Sequence, residues 1–410
     1  MSQKRNFPDL IQAYLDYSSG HEGTPRCHLW SIISVIAASL ERKVWMDRGY
    51  YTLFPNLYTF IIGKSGLIKK STTTGIAIDL YRSLPDVRMM SERLTAASLI
   101  NQLQLSGKTY SIGDKEFRQS SVFAYASELS VFMAEVSGSI VDLLTTFYDC
   151  SPHDCSKPWV YETKTSGIQK IYGPCLNILG ASTKAWLKKC IPASEMEGGF
   201  SSRIIFVVEN SAPKKFVAWP EMRPELHEMK EKLIDDLCLI HSMKGVMVPT
   251  QKARELFEKW YQHHMTLVVP DCHDPRMSGY LGRKGDLMLK LAMVRSASSD
   301  RGDYKITEGD LLWAGQELEA IEADMRIAFE GVGGSKETEL TFEIRQYVRG
   351  RGSPVEKAEI KRAFAKDAPG YEVERALQDL VEMQEIDMFL STEEQSAGRH
   401  FYAPHGFKVT

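Results

Sequence analysis

Between residues 55 and 210 the chain alternates short, apolar, β-rich pieces with helix-like stretches, and this alternation limits its fold more than any other feature. The pieces are "LYTFII" (57–62), "DVRMMS" (86–91), "SSVFAYAS" (120–127), "PCLNILGAS" (174–182) and "SRIIFVVE" (202–209). Stretches such as "AASLINQLQL" and "SIVDLLTTFYD" separate them, with apolar residues at helical spacing. Strands that alternate with helices build a parallel, three-layer α/β sheet.

The flanks read differently. Residues 7–42 carry two helix-like patterns, followed by the short β pieces "VWMD" and "YYTLFP". A Pro-rich stretch, "SAPKKFVAWPEMRPE" (211–225), marks a boundary, and helical patterns follow at 224–243, 249–267, 279–299 and 307–330. "EGVGGSKE" (330–337) reads as a flexible linker. Beyond it come three helical segments and a β ribbon, the order of a winged-helix module. The expected organisation is an N-terminal helical segment (1–50), an α/β core (51–215), a helical lid-like region (216–332) and a winged-helix-like domain (336–410).

A net charge of −3 excludes a global basic field, so any nucleic-acid contact must come from a local patch or from several subunits together. Seven cysteines without framework spacing, no signal-like N-terminus and no run of about 18 apolar residues lead to the expectation of a reduced, cytoplasmic protein without membrane contact.

The first strong piece runs into "GKSGLIKKSTTTG" (63–75). Phosphates bind where successive backbone N–H groups curl into a nest at a helix start, with a lysine on the terminal phosphates and a hydroxyl on Mg²⁺. Gly63, Ser65 and Gly66 form the loop, Ile68 stands where glycine is usual, and Lys69 and Lys70 follow. With Lys69 as the phosphate lysine, the metal position falls on Lys70, which has no hydroxyl. With Lys70, it falls on Ser71, and Thr72 stands behind. The chemistry favours Lys70 and Ser71, with Lys69 adding charge at the rim.

Hydrolysis of a bound ATP needs a carboxylate to activate water, a polar sensor and an arginine for developing charge. Glu128 closes the apolar run "SVFAYASEL" and is the preferred base. Glu92, after "VRMMS", competes with it. Ser182 and Thr183, or Asn177, are sensor candidates. Arg203 follows a Gly-Gly turn and suits a finger offered to a neighbouring subunit, and Arg283 opens a helix where a second sensor can close over nucleotide. "CSPHDC" (150–155) lacks a second ligand pair at metal-site spacing, so Mg²⁺ is the one metal expected.

"HLWSIISVIAASLERKVW", "LFPNLYTFIIGKSGLIKKST", "ASEL", "LNILGAST" and "GGFSSRIIFV" occur in this order. Together they resemble the helicase-like P-loop ATPases of phages and mobile elements, a family similar to RecA-like and AAA+ replicative helicases. The resemblance covers about residues 20–300. It implies that Lys70 and Ser71 match the Walker A lysine and hydroxyl, Glu128 the Walker B glutamate, and Arg203 the arginine of the Gly-Gly-Phe-x-x-Arg block. Ser127 departs from the aspartate usual there. The implied protein is a homo-oligomer, such as a hexameric ring, acting with Mg-ATP on single-stranded or forked DNA. An ATPase switch without unwinding (a helicase loader or transposition regulator) and a DNA-binding scaffold are the alternatives.

In the tail, the third helix carries Glu372, Glu374, Asp379 and Glu382 against Arg375, which opposes DNA reading. The more basic second helix (Lys357, Lys361, Arg362, Lys366), with Arg345, Arg349 and Arg351, leaves a protein-docking role or a DNA contact through that helix. Two Lys- and aromatic-bearing hairpins, 107–121 and 157–173, suit backbone tracking and base stacking.

Overall fold

A computed structural model describes residues 4–66, 68–90, 95–133, 138–151, 155–163, 167–190, 199–209, 221, 223–272, 275–329, 336–351, 353–365, 368–390 and 399–407. The chain divides into two compact units, Met1–Ile327 and Ala328–Thr410. The segments expected at 1–50, 51–215 and 216–332 therefore pack together as one unit.

The first unit is mixed α/β. Helix α1 (Leu10–Ser18) is capped by Asp9, whose carboxylate accepts from the N–H groups of Ile11 and Gln12. Helix α2 (Pro25–Leu40) starts with Thr24 as cap and Pro25 in the first turn. Almost every α2 side chain is buried, so this helix lies in the core rather than on it. Its serines stay satisfied by bonding back one turn: Ser31 to Cys27 O, Ser34 to Trp30 O and Ser39 to Val35 O.

After strands β1 (Val44–Asp47) and β2 (Thr52–Leu53) comes β3 (Tyr58–Gly63), buried at all six positions. Helix α3 (Lys70–Arg82) follows it and packs on α2. Helix α4 (Ala96–Leu105), with a reciprocal Thr95–Ser98 cap, leads into the hairpin of β4 (Gly107–Ile112) and β5 (Lys115–Ala126). Helices α5 (Leu129–Phe132) and α6 (Gly138–Tyr148), the ribbon β6 (Pro158–Thr163) and β7 (Gly167–Tyr172), then β8 (Pro174–Ser182), α7 (Lys184–Cys190) and β9 (Ile204–Glu209) complete the core.

The central sheet has the order β4-β5-β8-β3-β9, with β5, β8, β3 and β9 parallel and β4 antiparallel at one edge. Burial at every position of β3, β8 and β9 shows that both sheet faces are covered, as all-parallel strands require. The expected strand "DVRMMS" is reduced, among its described residues, to one parallel bridge between Met89 and Phe123. Helices Pro224–Ser242, Gln251–His263, Pro275–Ser298 and Glu308–Phe329 follow close to their expected bounds. The expected linker is described only at its last residues, Lys336 and Glu337.

In the second unit, helices Lys336–Arg349, Lys357–Ala363 and Gly370–Glu382 surround a small core of Ile344, Val348, Ile360, Leu377 and Ile386. Strand Val355–Glu356 joins the ribbon Ile386–Leu390 and His400–Pro404 in a three-stranded antiparallel sheet. Among the described residues, no helix is long and apolar enough to cross a membrane.

Candidate functional site

The carboxyl ends of the four parallel strands share one edge of the sheet, where ligands of open α/β sheets bind. Gly63 ends β3 there, Ser127 and Glu128 follow β5, Ser182 ends β8 and Glu209 ends β9.

The loop after β3 needs its first glycine. A Cβ on Gly63 would sit 2.3 Å from Cδ1 of Ile68 and 2.8 Å from the Glu209 carbonyl oxygen. Ile68, fully buried, thus plugs the base of the loop, and this explains an isoleucine where glycine is usual. Gly66 (φ 72°) and Lys69 (φ 51°, ψ 32°) both adopt the left-handed conformation. Lys69 immediately precedes α3, and no side chain caps that helix start. Its carbonyl accepts the Thr73 N–H and hydroxyl, each at 2.9 Å.

The two lysines part company. Lys70 turns inward, 7% exposed, and its Nζ donates to the carbonyls of Gly63 (2.8 Å) and Lys64 (3.2 Å). Burial lowers its pKa, and the Glu128 charge opposes that shift. Lys69 turns outward, with Nζ 3.7 Å from Glu22. Of the two registers, the structure places Lys70 inside the loop.

The neighbouring strand ends close on the same point. Ser71 Oγ donates to the Ser127 carbonyl at 3.1 Å, and Ser182 Oγ donates to Glu128 Oε1 at 3.3 Å. Thr74 Oγ1 lies 3.0 Å from the Tyr125 hydroxyl, so α3 is tied to β5. Glu128 also precedes α5, whose Leu129 presses on Gly180 so closely that a Cβ there would lie 2.4 Å from Leu129 Cδ2. That packing holds the start of α5 on β8 and the Glu128 carboxylate at Ser182. Ser65, Gly66, Ser71, Thr72, Ser127 and Glu128 are exposed around this edge. Lys70, Ser71, Glu128 and Ser182 are therefore brought together, whereas Glu92 lies outside the described residues.

Three residues flagged in the sequence go elsewhere. Asn177 is buried inside β8, where its Oδ1 accepts the Leu57 N–H at 2.8 Å, so it joins strands rather than sensing a ligand. Arg203 precedes β9, whose Ile204 pairs with Tyr58 at the start of β3. It therefore lies at the amino edge, and the six residues of β3 put about 20 Å between it and the loop. There its guanidinium, 7% exposed, grips Asp149 through Nε (3.2 Å) and Nη2 (2.5 Å). Arg283 stands 3.8 Å from the same carboxylate. Within one chain neither arginine reaches the loop, so Arg283 does not close over it as a second sensor.

Sequence reasoning missed a brace behind α3. Gly23 packs against Thr73 with no room for a Cβ, 2.2 Å from Thr73 Oγ1. Its N–H donates to His21 Nδ1 at 2.9 Å. That nitrogen is then an acceptor, so the His28 Nε2 3.1 Å away carries the proton, and the Tyr14 hydroxyl donates to His28 Nδ1 at 3.3 Å. Both imidazoles are neutral in this arrangement, and burial pushes His28 down to about 3. "HEG" (21–23) offered no periodic signal for it.

The hairpin aromatics are engaged. Tyr110 stacks on Phe117 (centroids 5.4 Å apart) and donates to the Arg42 carbonyl, and Trp159 stacks on Tyr161 at 5.8 Å. In the tail, Lys357 and Lys361 both bind Glu374 (2.8 and 2.5 Å), Arg345 and Arg349 pair with Glu385, and Arg351 pairs with Glu359. No cluster of three or more metal-ligating side chains occurs among the described residues.

Compared with known proteins, the chain matches no family model and no curated protein.

Proposed function

We propose that the chain is a Mg-ATP-hydrolysing, oligomeric, DNA-dependent ATPase, most simply a replicative helicase of a phage or mobile element. The observation that carries this reading is the convergence of Lys70, Ser71, Glu128 and Ser182 at the carboxyl edge of parallel strands, with Lys70 folded into a glycine-started loop. The donor set fits the group. Lys70 is held by two main-chain carbonyls that a phosphate oxygen can replace, and Ser71 bonds a carbonyl that it can exchange for a metal ligand. Bound Mg-ATP supplies the transferable phosphoryl group and the metal's charge neutralisation.

Lys70 binds the terminal phosphates, and the first N–H groups of α3 add partial positive charge. Glu128 orients and deprotonates the attacking water, and Ser182 holds its carboxylate in place. Arg203, remote from the loop of its own chain, acts on the site of a neighbouring subunit, and Asp149 keeps it in reserve. Lys357, Lys361, Arg345, Arg349 and Arg351 of the tail are matched by carboxylates within their own unit, which favours protein docking over a DNA contact there.

The test is ATP-dependent unwinding of a forked duplex by the wild type and by Lys70→Ala. Activity confined to the wild type supports the reading, and equal activity in both ends it. A second reading, an ATPase switch without unwinding, is favoured by Ser127, which offers no carboxylate to the metal. Single-turnover hydrolysis with DNA binding but no strand separation would select it.

A further inference from the structure

At the amino edge of the sheet lies a group of reactive side chains that ATP chemistry does not use. Cys150 follows α6 with a left-handed backbone (φ 51°), and Cys175 is the second residue of β8. Both are buried and pack in one small cluster with Phe54, and the Cys150 Sγ lies 3.7 Å from the Tyr148 carbonyl oxygen. Arg42 fixes their proximity through the main chain: its Nη1 donates both to the Cys150 carbonyl (2.6 Å) and to the Pro174 carbonyl (3.0 Å). The two segments are thus clamped side by side by one buried guanidinium.

Cys150 also lines a cavity of 280 Å³, together with Phe54, Asn56, Tyr148, Asp149 and Lys290. Lys290 is itself buried, donating to Asn56 O (3.1 Å) and Asn56 Oδ1 (2.9 Å), with its ammonium 3.8 Å from the Tyr148 ring centroid. Cys150 and the Lys290 ammonium thus share one cavity that admits small molecules, and a positive charge near a thiol favours its thiolate.

We infer that Cys150 and Cys175 form a peroxide-oxidisable dithiol, with Cys150 as the attacking sulfur and Cys175 as the resolving one. The electrostatics agree. Burial pushes the Cys150 thiol up, but the Cys175 hydrogen bond and the Arg42 and Lys290 charges outweigh it and leave its pKa below the ordinary thiol value. The hydrogen bond to Cys150 and burial raise Cys175, the partner that keeps its proton. Burial drives Lys290 down to about 8, so this lysine is still a cation at neutral pH and loses its charge above pH 8.

The oxidant is a hydroperoxide. The Cys150 thiolate attacks one peroxide oxygen, so an S–O bond forms, the O–O bond breaks, and the departing hydroxide takes a proton from Lys290 to leave as water. Cys175 then attacks the sulfenic sulfur: the S–S bond forms, the S–O bond breaks, and the hydroxyl leaves as a second water with the Cys175 proton. Cys150 gives its proton to solvent on becoming the thiolate and Lys290 takes one back from solvent afterwards, so in all two thiols lose two hydrogens and one hydrogen peroxide becomes two waters.

The experiment exposes the folded full-length chain to hydrogen peroxide at pH 7, blocks remaining thiols and maps the cysteines by mass spectrometry. The expected product is a Cys150–Cys175 linked peptide, reversed by dithiothreitol. It should form at least about tenfold faster than any oxidation of Cys27, whose thiol burial pushes up to about 11. In Cys175→Ser, Cys150 should stop at the sulfenic acid, trapped by dimedone. Preferential oxidation of Cys238 or Cys272, linkage of Cys150 to Cys155, or an unmodified Cys150 in both proteins would each overturn the assignment.

Discussion

The Nζ of Lys70 donates to the carbonyl oxygen of Gly63 at 2.8 Å, so the loop after β3 is closed on itself by the side chain that the reading assigns to phosphate. Its neighbour Lys69 points away toward Glu22. The two adjacent lysines therefore separate in space, and the proposed function assigns them different weights. Lys70→Ala should lower ATP hydrolysis by about 100-fold or more, because a charge aimed at the transferring group is lost. Lys69→Ala should change it by no more than about threefold, since an exposed, screened pair contributes little. Steady-state phosphate release by the two variants checks this.

Gly63→Ala should destabilise the first unit by about 1–3 kcal/mol, the usual cost of forcing a group into a filled space. Ile68 can shift its terminal methyl, but the Glu209 carbonyl belongs to the adjacent strand and cannot. Urea unfolding of wild type and variant measures the difference.

Arg203 and the loop are separated within one chain, so two inactive variants should rescue each other. Mixing Lys70→Ala with Arg203→Lys subunits leaves about one interface in four with both residues intact, if assembly is random. ATPase activity should reappear on mixing, and its absence would remove Arg203 from the reaction.

His28 makes stability depend on acid. Its folded pKa of about 3 lies below the ordinary value of 6.5, so between those values the unfolded chain binds the proton and the folded chain does not. The stabilisation is fully present above pH 6.5 and is lost as pH falls toward 3, with a slope of about 1.4 kcal/mol per pH unit for this group. Denaturant midpoints measured across that window should fall with acid in the wild type, and His28→Gln should flatten the curve.

The parts visible in the sequence were those governed by local pattern. The apolar runs of β3, β8 and β9 are buried at every position and could be found without knowing their neighbours. The inward turn of Lys70, as against Lys69, agrees with the register that the loop's sequence favours. What escaped was set by pairing between distant segments. Asp149 meets Arg203 across 54 residues, and nothing in "FYDC" announces it. Asn177 looked like a strand-end polar residue, but the Leu57 N–H from the neighbouring β3 segment claims it. Ile68 seemed a defect in a glycine-rich loop until burial under Gly63 gave it a packing role.

The most direct measurement of the central claim is equilibrium titration of the chain with a fluorescent ATP analogue in the presence of Mg²⁺. Saturable binding that weakens at least about tenfold in Lys70→Ala, a loss of about 1.4 kcal/mol, is the predicted result. Absence of binding, or equal affinity in both proteins, would show that the turn after β3 does not enclose a nucleotide.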